Sequence, residues 1–417
     1  MNIVYGKLAI SLACTLLIIV MLVRRKAITA WLDGQSSKVV LTAGWLLFRL
    51  LPFVGVYLIA GLSTTSDVNG FWDEGSKASL GQIVYRDFWS PYSPLYAYFL
   101  GAFLKLWYDP KMIVLTMALM DGVALWLSFI FYRPLVTQGN LLFKAMVYLL
   151  FPGSLVLCII GAQEDVWMWL FVVLAYLVQK RTGKVTWYAV ILAIGLLTTK
   201  AIFVLILFPL FLIEKEKIRF LVPMAAIGLL SLAILYPLVG WEFMQPLDEA
   251  KTLRAPNIPA VINPWFANQI GVGEKFWNWI GLLLSLGLGS WTALRFQNKS
   301  FQYMLSRTWV VLFATMMIVQ QSAYSNYIFL FLIPLMYGVV DWTSKKQVAL
   351  LLIYNILCVV HPSIWWRLDM PKYHSLNDIV ATQTSLMDYS LQLCIIVLTG
   401  YFIRLAFRES NVMVQQH

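Results

Sequence analysis

The feature that most constrains this chain is its repeated apolar runs, each roughly 17–25 residues long, the length that carries a helix across the hydrocarbon of a bilayer. Residues 8–23 and 39–62 are the first two. In lipid every backbone N–H and C=O must find a partner inside protein, so such runs commit to helices and not to open sheets. Composition agrees: 60% of the 417 residues are hydrophobic and 12% charged, where a soluble domain carries about 25% charged residues. A soluble enzyme, a disordered chain and a nucleic-acid-binding domain are thereby excluded. The net charge of +11 is explained by cytoplasmic loops rich in Lys and Arg lying beside anionic lipid. The expected fold class is an all-α polytopic membrane protein.

Charge asymmetry orients the spans. Arg24, Arg25, Lys26 and Lys38 follow the first run against one acid, Asp33, which places residues 24–38 in the cytoplasm. The second run then delivers residues 63–90 to the outside. From the other end, Arg404 and Arg408 and the pair Lys345, Lys346 are expected inside, which puts 361–385 outside. The same count puts 295–299 and 214–219 inside, 241–275 outside, and Lys180, Arg181 and Lys184 inside. Gln163, Glu164 and Asp165 then face out. Counting from the two ends disagrees by one crossing between residues 92 and 132, so 92–108 is expected to be a partial or membrane-parallel segment. About 12–13 helices result.

Three polar features stand out. The loop 63–90 carries Asp67, Asp73, Glu74 and Asp87 with the aromatics Phe71, Trp72, Tyr85, Phe88 and Trp89, a composition suited to interfacial helices. Any of its acids could be a general base, which must sit beside the hydroxyl it deprotonates; Asp67 could equally be a solvated or helix-capping acid. Glu164 and Asp165 form a second outward acidic pair, which complementarity to a helix dipole would also explain. Lys200 lies mid-way along an apolar stretch bounded on both sides by cytoplasmic charge. Two short helices meeting near Thr198–Lys200 solve that topology. A buried Lys costs at least about 2.5–3.5 kcal/mol, so it is expected either in a structural ion pair or holding an anion such as phosphate. Arg254 and Lys251, in the Pro- and Asn-containing loop 241–275, could grip a phosphate or carboxylate. Cys14, Cys158, Cys358 and Cys394 all lie in apolar runs, and His361 and His374 are too far apart to argue for a metal site.

In their order along the chain these residues resemble the GT-C superfamily of membrane glycosyltransferases, above all the glycosylphosphatidylinositol mannosyltransferase I family and bacterial polyprenol-dependent mannosyltransferases. The resemblance is carried by Asp67, Phe71, Gly81, Tyr85 and Tyr92-Ser93-Pro94-Leu95 in the first outer loop. It continues through Asp121, Pro152, Gly161-Ala162-Gln163-Glu164, Lys200 before Pro209, Trp241-Glu242-Phe243, Arg254, and Ser325-Asn326-Tyr327 before Pro334. It spans about residues 40–340. Where that family often has Asp-x-Asp, this chain has Thr65-Ser66-Asp67, and the family's histidines near Arg254 are missing.

The resemblance implies a GT-C-like bundle: residues 1–38 an additional N-terminal helix and cytoplasmic loop, 39–213 a catalytic module, and 214–417 a C-terminal transmembrane module. It implies transfer of a hexose, mannose in that family, from a polyprenyl-phosphate donor to a lipid or glycan acceptor on the extracytoplasmic face, with inversion. Asp67 would be the base, supported by Asp73, Glu74, Asp87, Glu164 and Asp165. Lys200 and Arg254 would hold the donor phosphate, and Tyr85, Tyr92, Trp241 and Glu242 would form the substrate loop. No metal is required by this chemistry, and the sequence is equally compatible with a divalent ion. Short loops and the lack of a retention signal favour a plasma (inner) membrane over the endoplasmic reticulum. The competing classes are a flippase or transporter of lipid-linked sugars, and a glycan polymerase or ligase using a lipid diphosphate.

Overall fold

The computed structural model describes residues 2–273 and 275–409. Among them, eight helices are long and apolar enough to cross a membrane: Ile3–Val23, Ser37–Ile59, Pro110–Tyr132, Lys217–Lys251, Lys275–Phe296, Phe301–Val319, Lys345–Arg367 and Gln383–Phe407. The pair Gln138–Leu150 and Pro152–Ile159, bent by 51°, makes a ninth if it is one span. This is a multi-pass, all-helical membrane protein. The remaining crossings expected from the sequence correspond to shorter helices, among them Val185–Thr198, Ala201–Ile213 and Ser325–Val339.

The chain divides into two compact units interleaved along the sequence. One comprises residues 1–35, 135–156 and 250–417; the other comprises 36–134 and 157–249. The expected modules 39–213 and 214–417 therefore each contribute to both.

In the first unit Phe301–Val319 is buried along its whole length, as a helix surrounded by others must be. It carries Arg307, fully buried. The guanidinium Nη1 donates to the carbonyls of Ala406 at 2.9 Å and Arg408 at 2.7 Å, which are left without helical partners where Gln383–Phe407 ends. The loops 241–275 and 361–385, both assigned outside from charge, meet here: Asn263 Nδ2 donates to the Tyr373 carbonyl at 3.0 Å.

The second unit holds the elements that position the acidic cluster. Asp109 starts the helix Pro110–Tyr132 by accepting from the Lys111 N–H at 2.8 Å, with Pro110 at the first position, where its missing N–H costs nothing. In Ser37–Ile59, Pro52 lies between two π-helical turns, Leu46–Leu50 and Val54–Ile59. Proline removes one helical hydrogen bond and crowds the preceding turn, and widening the helix accommodates it. The first wide turn presents Arg49, whose Nε donates to Asp121 Oδ2 at 2.7 Å with both side chains fully buried.

The first outer loop is helical, as its composition suggests. Val68–Ser79 packs on the short helix Tyr96–Leu104 through glycines: a Cβ on Gly101 would lie 2.9 Å from Ser79 N and 3.0 Å from Gly75 O. At about 1.5 Å per residue, the nine residues of Tyr96–Leu104 cannot span a bilayer, which agrees with the partial segment expected at 92–108. The discontinuity expected at Lys200 is also present: Val185–Thr198 ends, Thr199 and Lys200 are non-helical, and a 3-10 turn Ala201–Phe203 leads into Val204–Ile213.

The Arg49–Asp121 pair tests how this unit is held together. Asp121→Ala should destabilise the protein by about 3–5 kcal/mol, because it strands a buried guanidinium. The double variant Arg49→Met/Asp121→Leu should recover most of that loss. Thermal unfolding of the purified protein in detergent measures both; equal damage from the single and double variants would show that the pair is not the cause.

Candidate active site

The residues around the helix break form one cluster, all within the second unit. Breaking a helix frees carbonyls that need donors, and the outer-loop segment supplies them: Ser93 N–H donates to Thr199 O at 3.0 Å and Leu95 N–H to Leu197 O at 2.8 Å. The hydroxyls of Thr198 and Thr199 fold back onto the carbonyls of Ile194 and Gly195. Outer loop and helix break are thus one piece of structure.

Lys200 points into this junction. Its Nζ lies 2.6 Å from Glu164 Oε1 and 2.6 Å from Asp165 Oδ1; the lysine side chain is 14% exposed, and those of Glu164 and Asp165 are 2% and 0% exposed. It also lies 5.6 Å from the centre of the Tyr92 ring. The ion-pair reading of Lys200 is therefore realised, with two carboxylates on one ammonium. The second oxygen of each carboxylate has no side-chain hydrogen-bond partner among the described residues. Burial raises Glu164 to about 7 against the opposing pull of Lys200. Asp165 is raised for the same reason. Asp165 begins the helix Val166–Thr182 without capping it; its carboxylate goes to the lysine instead.

Asp67 joins the cluster through the residue next to Glu164. Gln163 Nε2 donates to Asp67 Oδ2 at 2.5 Å, and to the Gly161 carbonyl at 3.2 Å. Asp67 precedes Val68–Ser79 but makes no capping bond, so the capping alternative does not hold. It is exposed, whereas Gln163, Glu164 and Asp165 are buried. The two residues preceding these partners, Ser66 with φ +61° and Ala162 with φ +48°, both sit in the left-handed region that ordinary side chains avoid. Such strain persists only where surrounding contacts enforce it, and it gathers at functional sites.

The remaining acids separate. Glu74 is buried and accepts from Ser90 Oγ at 2.6 Å; burial pushes it up to about 8. Asp73 pairs with Lys77, and Asp87 with Arg86 and the Ile83 N–H, so these two serve the local loop geometry. Tyr92 and Tyr96 stack with ring centres 4.2 Å apart, against Phe71 and Trp167. Neither the Tyr96 hydroxyl nor the Trp167 indole N–H, both buried, has a partner among the described residues. Tyr85 donates to the Tyr92 carbonyl at 2.5 Å. Gln245 Nε2 donates both to the Tyr85 carbonyl and to Glu242 Oε2, each at 3.0 Å, which brings the 240–251 segment onto the outer loop, with Trp241 exposed on its surface. Arg254 belongs to the first unit, where it lines a cavity described below.

The chain matches no protein-family model, no curated protein and no solved structure. The site must be argued on its own geometry.

Sequence reasoning missed Gln163, Ser90 and Gln245, whose neutral side chains connect the charged residues. A buried amide beside two buried acids was the available signal. Glu74 offers a test by titration. Its folded pKa lies above the ordinary 4.5, so between about pH 4.5 and about pH 8 the unfolded chain binds fewer protons than the folded one. Stability held below that window should be lost as pH rises through it. Glu74→Gln should flatten this part of a stability–pH curve measured by thermal unfolding; an unchanged slope would remove Glu74 as its source.

Proposed function

We propose that this protein transfers a hexose, mannose the first candidate, from a polyprenyl-phosphate donor to a hydroxyl of a lipid or glycan acceptor, outside a plasma or inner membrane. The observation that carries the reading is the coupling of an exposed carboxylate, Asp67, to a buried ammonium, Lys200, through the adjacent residues Gln163 and Glu164. A lipid-linked sugar phosphate presents two chemical demands close together: a hydroxyl to be deprotonated and a phosphate to be stabilised as it leaves. Asp67 takes the acceptor proton as its oxygen bonds to the anomeric carbon. The bond from that carbon to the phosphate oxygen breaks, the electron pair leaves with the polyprenyl phosphate, and configuration inverts.

The charges set a condition on this scheme. Glu164 and Asp165 outnumber Lys200, so an arriving phosphate meets a net negative site unless one carboxylate is protonated. Glu164, raised to about 7, is the group to take that proton. It would then release Lys200 toward the phosphate, where preorganised positive charge stabilises the leaving group. The unpartnered Tyr96 hydroxyl and Trp167 N–H are donors suited to phosphate or sugar oxygens. The excess of buried carboxylate over ammonium also suits proton-coupled movement of a lipid-linked sugar, which is the second reading.

Purified protein given labelled polyprenyl-phosphate mannose and glycolipid or oligosaccharide acceptors distinguishes the two, since only a transferase makes a new glycosidic bond. Asp67→Asn should lower transfer by at least about 10²-fold while leaving donor binding in place. Near-normal turnover by that variant would move the base elsewhere. Donor affinity should weaken as pH rises above about 7, and Glu164→Gln should abolish that dependence; a pH profile identical in wild type and variant would remove Glu164 from donor binding.

A further inference from the structure

The first unit contains a chamber of about 60 Å³, room for a few waters or one phosphate-sized group. It is built where the two outer loops of that unit meet. Its lining includes two cations, Arg254 and Lys372, and the amides of Asn257, Asn263, Gln321 and Gln392. No carboxylate lines it among the described residues.

The polar walls are fixed. The Arg254 backbone N–H donates to the Gln321 carbonyl at 2.9 Å, and the Arg254 guanidinium lies 4.3 Å from the centre of the Tyr324 ring. Asn257 Nδ2 donates to the Arg254 carbonyl at 2.7 Å and the Gln321 carbonyl at 3.2 Å. Gln321 Oε1 accepts from Gly273 N–H, and Gln392 Nε2 donates to Asp388 Oδ2.

One group in this wall lacks a partner. Asn263 is 3% exposed, and its Nδ2 donates to Asn268 Oδ1 and to the Tyr373 carbonyl, each at 3.0 Å. A carbonyl can only accept, so the amide orientation is determined, and Oδ1 is left as a buried acceptor with no partner among the described residues. Leaving such a group unsatisfied costs about 1–3 kcal/mol. Positive charge in the chamber calls for an anion, and an orphaned acceptor calls for a hydroxyl.

We propose that this chamber binds a hydroxylated phosphate, the glycerol-phosphate head of an anionic lipid or the same group free in solution, with the phosphate between Arg254 and Lys372 and a hydroxyl donated to Asn263. The small volume admits the head alone, so whatever is attached stays outside beyond the exposed Lys372. The site rests on the first unit alone and is independent of the transferase reading.

The intact protein in phosphatidylcholine nanodiscs, titrated calorimetrically with glycerol 3-phosphate, should show saturable binding. Propyl phosphate, which lacks the hydroxyls, should bind about fivefold more weakly, and Arg254→Gln should weaken binding about tenfold or more. Lys372→Gln, at an exposed position where folding is not at stake, should weaken it about threefold. In nanodiscs containing phosphatidylglycerol, a lipid ligand should block the titration and be retained in native mass spectra by wild type but not by Arg254→Gln. A free ligand should leave the titration unchanged. Either pattern supports the site and identifies the source. Propyl phosphate bound as tightly as glycerol phosphate, equal affinity in wild type and both variants, or no saturable binding by wild type that unfolds cooperatively would overturn the proposal.

Discussion

Lys200 and its two carboxylates are the interaction on which the second unit depends. An ammonium with so little access to water is tolerable only because Glu164 and Asp165 both lie 2.6 Å from it, and a buried charge deprived of its partner is strongly destabilising. The backbone must break to deliver it. A continuous helix through Thr198–Lys200 would satisfy its own carbonyls and leave the Ser93–Leu95 segment nowhere to dock. The break therefore does three things together: it turns the lysine toward the acids, frees carbonyls for the outer loop, and lets an apolar stretch begin and end on the same side of the membrane.

Much of this was legible from the sequence, because it follows from what a bilayer forbids. The long apolar runs had to be helices. Lys200 between two cytoplasmic charge clusters required an interruption, and residues 92–108 could not be a full crossing if the ends were to agree. The two loops assigned outside in the first unit do meet. What could not be read were the partners. Arg49 and Asp121 are 72 residues apart, and nothing in their local sequence couples them. Arg307 spends its charge on carbonyls about a hundred residues later. Span counting went further than the structure's long helices because hydropathy cannot distinguish one bent or broken segment from two crossings.

The candidate site shows the same division. Asp67, Glu164, Asp165 and Lys200 were visible because charge is expensive near lipid. Their arrangement was not, because it depends on neutral side chains. Gln163 carries no charge and has no strong positional signature, yet its amide is the contact between Asp67 and the buried acids. Asp73 and Asp87 looked as promising as Asp67 by composition. Short-range pairing with Lys77 and Arg86 accounts for both, whereas Asp67 has its hydrogen bond across 96 residues of sequence.

That long-range bond gives the cluster a mechanical property that charge alone would not. Gln163 and Glu164 share a peptide bond, so the position of the exposed carboxylate and that of the ammonium are fixed by one short loop with Ala162 held at φ +48°. A shift at Lys200 must move Glu164, and movement of Glu164 must reach Asp67 through Gln163. If a phosphate draws Lys200 away from one carboxylate, the exposed acid will feel the change in both electrostatics and position. Under the transferase reading this links the occupancy of the donor site to the readiness of the base, without requiring a conformational change larger than one loop. Under the transport reading the same linkage joins a proton on Glu164 to the outer entrance. The loop 161–165 is therefore the element through which either function would be controlled.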